Sequence, residues 1–184
     1  LHSEGNSDFV FGFEDGTVPP DGWTGDWTDD TTWAATGTHS AKSAMLGGNT
    51  NSDLTYADYA PTENGLISFD YKVSSEGNHD MLALLIDAAQ TLTTWSGEGT
   101  GTVRYIVPPG TMDVTLRYLR DFGAIGGDDA VWVDNVRLMN RVAGCGGTPE
   151  AFHAGPAQVV AIQAGGVTVE AIYSGEQLVY SAGG

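Results

Sequence analysis

The sequence predicts an all-β protein, an antiparallel β-sandwich followed by a small β-meander. Three observations predict it. Residues 66–138 alternate apolar and polar side chains, as strands with one buried face do. Short apolar runs are separated by clusters of Gly, Asp, Asn, Thr and Pro, and Gly alone takes 26 of 184 positions, so turns are frequent. No window sustains a period of 3.6 residues. Residues 81–90 come nearest to one, but their flanks favour a strand that ends in an Asp87-Ala-Ala-Gln turn.

The elements follow in order. Strands are predicted over residues 9–14, 31–36, 41–46, 54–59, 66–74, 81–86, 92–95, 103–107, 112–120 and 130–139. Asn78-His79-Asp80 and Pro108-Pro109-Gly110 are turns by composition. Strands this short and this closely spaced suit two packed antiparallel sheets. Phe69, Trp95 and Trp132 are expected in the core, because their neighbours alternate with them. The pattern divides the chain into a sandwich over residues 1–141, a Gly-rich linker over 142–156 and a β segment over 157–184. That last segment reads as three strands, too small to bury a core alone. It carries Val159, Ile162, Val169, Ile172, Leu178 and Val179. The segment must lean on the main domain, on another copy of itself or on a larger assembly, and an apolar set on open strand edges points to assembly with other chains, as a homo-oligomer or with different partners.

Composition removes several function classes. Asp and Glu number 24 against seven Lys and Arg, a formal charge of -17. Phosphate binding needs clustered cations, so nucleic acid is excluded as a partner. No stretch approaches the roughly 18 apolar residues of a membrane span, and membrane insertion is not expected. Cys145 stands alone and rules out an internal disulfide. His2, His39, His79 and His153 have no ligand spacing, and no His-Glu-x-x-His, Gly-x-Ser-x-Gly or Cys-x-x-Cys motif occurs. The chain is not expected to be an enzyme.

Trp23, Trp27 and Trp33 fall in a loop-rich stretch. Trp27 stands between Asp26 and Asp29, which suggests an exposed ring beside carboxylates. Such a pair suits a sugar, whose C–H face packs on the ring while its hydroxyls meet the oxygens. The competing expectation is a satellite apolar cluster under the loop.

Gly12-Phe-Glu-Asp-Gly, Pro19-Pro-Asp-Gly-Trp, Gly37-Thr-His-Ser-Ala-Lys-Ser-Ala, Ile67-Ser-Phe-Asp-Tyr and Asp129-Ala-Val-Trp-Val-Asp-Asn-Val occur in that order. Together they resemble jelly-roll adhesion and carbohydrate-binding domains, the MAM-like and cleaved-adhesin-like families, over residues 9–138. The resemblance implies a jelly-roll sandwich with a structural calcium between its first and last strands, on Glu14, Asp134 and Asp15. The alternative is that Glu14 caps a turn and Asp134 accepts backbone hydrogen bonds. The C-terminal Val169-Glu-Ala-Ile-Tyr-Ser-Gly-Glu-Gln-Leu-Val-Tyr resembles the ends of tailed-bacteriophage virion proteins. That resemblance implies a structural virion component, in a tail, a fibre or a capsid decoration. The sandwich would be displayed on the virion toward a host-surface glycan, and assembly would run through the C-terminal strands. The alternative is a secreted bacterial carbohydrate-binding or adhesion module, or an extracellular filament subunit.

Overall fold

The computed structural model describes residues 8–44, 47–88, 90–140, 159–164, 167–174 and 177–179. Its strands are, in chain order, β1 (Phe9–Phe11), β2 (Trp23–Gly25), β3 (Thr28–Asp30), β4 (Ser40–Lys42), β5 (Thr50–Tyr59), β6 (Gly65–Ser74) and β7 (Met81–Ile86). They continue as β8 (Gln90–Ser96), β9 (Glu98–Val107), β10 (Met112–Arg120) and β11 (Ala130–Met139), and then β12 (Val159–Ala164), β13 (Val167–Ser174) and β14 (Gln177–Val179). The described residues form no helix. One sheet has the order β3-β4-β11-β6-β9, with β1 also pairing β11. The other has the order β2-β5-β10-β7-β8, and every pairing is antiparallel. The chain is therefore an antiparallel jelly-roll sandwich, followed by a three-stranded meander of β12, β13 and β14.

Alternation decides what lies between the sheets. Ile67, Phe69 and Val73 of β6 and Val131, Val133, Val136 and Leu138 of β11 meet Leu54, Leu82, Leu84, Val114, Leu116 and Tyr118 of the facing sheet. Each such aliphatic side chain contributes about 1.5–3 kcal/mol by leaving water. Rings close both long sides of the sandwich. Phe11 and Tyr56 each stand 5.4 Å from Trp23 on one side, and Trp95 stands 6.0 Å from Phe69 on the other.

Several expectations change. Trp132 is buried, but it lies on the outer face of its sheet, because Val131 and Val133 on either side of it fill the core. Lys72 and Lys42 cover its ring at 4.2 and 4.8 Å, and its indole N–H donates to Asp30 at 3.1 Å. Residues 31–36 are not a strand, although Thr and Trp favour one. Asp30 takes the Thr32 amide and Asp134 takes those of Ala35 and Thr36, so these amides are not available to a ladder. The first strand stops at Phe11, because Phe13 adopts a φ of 59° and starts a turn. β2 and β3 went unpredicted, being three residues each and mostly polar. In β11 a bulge after Asp134, with Asn135 at a φ of 50°, resets the alternation. Val136 and Leu138 then point inward and Arg137 outward. The proposed 142–156 linker and Cys145 lie outside the described residues, as do the side chains of Val159, Ile162, Val169, Ile172, Leu178 and Val179.

Candidate functional site

The flank where β1 and β4 both abut β11 holds most of the side chains singled out by sequence. Glu14 accepts the amides of Thr38 at 3.0 Å and His39 at 3.2 Å. Asp134 accepts those of Ala35 at 3.0 Å and Thr36 at 2.9 Å, and its own neighbour Asn135 at 2.6 Å. The two carboxylates therefore grip the segment 35–39 from both ends. Gly37 sits between the grips at a φ of +68°, where a Cβ would collide with the Glu14 carboxylate. The Thr38 and His39 amides hold the Glu14 carboxyl below its usual range, whereas burial pushes Asp134 up. Asp29 pairs with His39 at 2.9 Å, and that hydrogen bond raises the imidazole. Asp15 accepts the Thr17 amide, and Asp26 accepts the Ser52 hydroxyl and the Asp53 amide.

Calcium needs six to eight oxygen ligands, and here Glu14 and Asp134 spend oxygens on backbone amides. Among the described residues no group of three or more His, Cys, Asp or Glu side chains gathers to hold a metal. Trp27 is corrected. It is 1% exposed and belongs to the core cluster, so its ring offers no face to a sugar. The expectation of an exposed ring rested on its acidic neighbours, yet Asp26 and Asp29 are exposed while Trp27 turns inward between them. Asp26 and Asp29 are thus left without a ring to work beside.

The aromatic that does meet solvent is at the tip of the sandwich. Register places the ends of β6, β7, β9, β10 and β11 together there: Ser74 faces Ala130 and Glu98, and Met81 faces Leu119. The loop 121–129 crosses this tip. Phe122 on it is 85% exposed and Ile125 is 69% exposed, and Phe122 is the one exposed aromatic among the described residues of 8–140. The loop is fastened at both ends. The Asp121 amide donates to the buried Asp80 at 2.9 Å, and the Asp121 carbonyl accepts the Asn49 amide at 2.8 Å. Asp128 donates its amide to Ser74 Oγ at 2.8 Å. At Gly126 a Cβ would come within 2.6 Å of the Glu76 backbone, so only glycine lets the two loops touch.

Polar groups surround the exposed ring. His79 Nδ1 lies 3.0 Å from Asp121 Oδ2, and both side chains are well exposed. The Gly123 amide, followed by the His79 contact, holds Asp121 below its usual range. Behind them Tyr118 donates to Asp129 at 2.6 Å, and Arg120 pairs with Asp129 at 3.0 Å. Burial, then Asp129, pushes the Tyr118 hydroxyl up. Among the described residues neither His39 nor His79 is hydrogen-bonded to a hydroxyl or thiol nucleophile. The tip offers a ring, carboxylates and an imidazole to a ligand, and no nucleophile with its base. Sequence reasoning missed it because Phe122 stands in a Gly-rich stretch with no alternation around it.

No protein-family model and no curated protein matches the chain. Among solved structures, the K3 cleaved adhesin domain of Lys-gingipain from Porphyromonas gingivalis aligns with 71% of this chain and 98% of its own, at 13% identity and a TM-score of 0.55. The secreted serine protease VesC from Vibrio cholerae aligns with 72% of this chain but only 28% of its own, at 14% identity and a TM-score of 0.53. A xylan-binding domain from Paenibacillus barcinonensis aligns with 71% of this chain and 92% of its own, at 13% identity and a TM-score of 0.48. The first likeness places the sandwich in the fold of a cleaved adhesin domain.

Proposed function

We propose that the chain is an extracellular, non-enzymatic adhesion module that binds a glycan at the tip of its sandwich. The observation that carries this reading is Phe122, 85% exposed on a loop that its neighbours hold in place. With Ile125, also exposed on the same loop, the ring offers a small apolar surface that a partner can cover. In this role the ring packs on the C–H face of a sugar. Asp121 and Asp128 accept hydroxyls, and His79 donates or accepts beside them. Adhesin domains of the same fold favour the adhesion class. The virion role has no counterpart among these likenesses, so the secreted alternative is preferred. The test is a glycan array followed by titration of the best ligand. Losing a central aromatic contact costs about 2 kcal/mol, roughly 30-fold in affinity. Phe122→Ala is expected to lose that much while melting as the wild type does. An array with no ligand, or a variant that binds equally well, overturns the proposal.

A second role is proposed for the C-terminal meander, which is favoured by its outer strand. Among the described strands β14 pairs only with β13 and so presents an unpaired edge, while β12 lies against β9 of the sandwich. In this role the meander joins the chain to copies of itself or to other proteins. A chain ending at Arg141 is expected to keep the fold of the sandwich and to lose self-association in sedimentation. An intact chain that sediments as a monomer at high concentration removes self-assembly.

A further inference from the structure

We infer that the outer face of the six-stranded sheet carries a two-arginine clamp for an anionic sugar, one bearing a carboxylate or a sulfate. The ligand class rests on the glycan-binding proposal, but the site is separate from Phe122. In this chain acids outnumber bases 24 to seven, so a cation without an acidic partner is unusual. Six cationic side chains fall among the described residues. Lys42, Lys72, Arg117 and Arg120 are each in an ion pair. Arg104 and Arg137 have no hydrogen bond or ion pair to any described residue, and both are exposed.

These two lie in one cross-strand row. Ser68 of β6 faces Arg104 of β9 on one side and Arg137 of β11 on the other. Both arginines point outward, because Val103, Tyr105, Val136 and Leu138 beside them fill the core. The β11 bulge is what brings Arg137 to this face. Strands stand about 4.8 Å apart, so the two backbones are roughly 10 Å apart, close enough for both guanidinium groups to reach one ligand.

The adjoining rows complete an amphipathic strip. On one side Leu66 faces both Ile106 and Met139, a half-buried apolar floor. On the other side the carboxylates are engaged. Asp70 accepts the Thr102 hydroxyl and the Asn135 amide group, while Asp134 is buried under three backbone amides. Two unneutralised like charges across one serine repel each other, and a bound anion relieves that repulsion. Guanidinium forks match carboxylate and sulfate oxygens bidentately, and the apolar floor takes the C–H face of the ring. The overall charge of -17 opposes a polyanion at long range. Screening shortens that range to about 8 Å at physiological salt, which leaves the local pair dominant at contact.

The test is affinity electrophoresis of the full chain in gels containing polygalacturonate, dextran sulfate or neutral dextran. Retardation by one or both polyanions and not by neutral dextran is expected, and the gel that retards identifies carboxylate or sulfate as the anion. The pair Arg104→Ala with Arg137→Ala is expected to lose about tenfold or more in affinity. It is expected to melt as the wild type does, since both side chains are exposed. Should that pair melt early, Arg104→Gln with Arg137→Gln replaces it. Phe122→Ala is expected to keep its polyanion retardation, which separates this site from the tip. A wild-type chain that neither polyanion retards, or a double variant retarded as strongly as wild type, overturns the clamp. Binding to neutral glycans on an array would then still leave the tip proposal standing.

Discussion

The flank and the tip of this sandwich are both rich in carboxylates, yet they use them in opposite directions. At the flank, Glu14 and Asp134 turn toward backbone amides and hold the segment 35–39 against β11. The aromatic of that region, Trp27, is in the core. At the tip, the buried Asp80 holds the loop from behind. Asp121 and His79 remain in water beside a projecting phenylalanine. An acidic residue next to a tryptophan is therefore no guide to a binding surface. What matters is whether the carboxylate is occupied by N–H groups and whether the ring faces out.

The largest expected effect follows from that contrast. Trp27→Ala removes a fully buried ring and is expected to cost about 3–5 kcal/mol, read as a fall in the urea midpoint. Phe122→Ala is expected to stay within about 0.5 kcal/mol of wild type. If the two results came out reversed, with Trp27→Ala stable but unable to bind glycan, the binding surface would return to the flank.

Asp134 comes next. Replacing it with Ala leaves the amides of Ala35, Thr36 and Asn135 without their acceptor. An unsatisfied donor costs about 1–3 kcal/mol when buried, and water can reach the exposed Ala35 and Thr36, so Asp134→Ala is expected to destabilise by about 1 kcal/mol. The exposed Asp121 should matter less, and Asp121→Ala is expected to fall below it in the same denaturation series. Chelation separates amide capture from ion binding at the flank. A carboxylate filled by N–H donors gives a melting temperature indifferent to chelator and to added calcium. A calcium-dependent rise that Glu14→Gln abolishes would restore the ion.

Much of the fold was legible and the binding surface was not, for one physical reason. Burial of a sandwich core imposes a period of two, and β7, β10 and β11 fall at their predicted bounds because turn residues flank each, whereas β5 and β9 begin four and five residues before their predicted starts, in polar stretches that carry no apolar pattern. Where an element is short, local hydrogen bonds override propensity. Residues 31–36 lost their strand to Asp30 and Asp134, and β2 and β3 were too brief to show alternation. The position of Trp132 shows a finer limit. Alternation established that one face of β11 is apolar, but at Trp132 the outer face is buried as well, under Lys42 and Lys72. Of the two expectations for Glu14 and Asp134, a shared ion or backbone hydrogen bonds, the structure shows the hydrogen bonds, and their partners are amides that a sequence does not display. Phe122 had no pattern around it, because an exposed loop ring answers to no packing period.

The smallest effect concerns pH, and it also distinguishes the two regions. Glu14 has a folded pKa lowered by the Thr38 and His39 amides. Its contribution is present above the unfolded value near 4.5 and is lost as pH falls through the folded value. Asp121 at the tip behaves the same way, through the Gly123 amide. Asp134 runs the other way. Burial raises its pKa, so its protonated form favours folding at low pH and that benefit fades as pH rises. His39 adds a limb near neutrality. Its pKa is raised above 6.5 by the hydrogen bond to Asp29, so its contribution is full below 6.5 and is lost as pH rises through the folded value. Melting temperature against pH is therefore expected to decline gently between about pH 6 and 8. Both partners of this pair meet solvent, which keeps the change small. His39→Gln is expected to flatten that decline and leave most of the acid limb in place, whereas Glu14→Gln should soften the acid limb chiefly and the neutral limb slightly, since the Glu14 charge also raises the imidazole. A decline that persists in His39→Gln would assign the neutral limb to another group and remove the Asp29–His39 pair from the account of the flank.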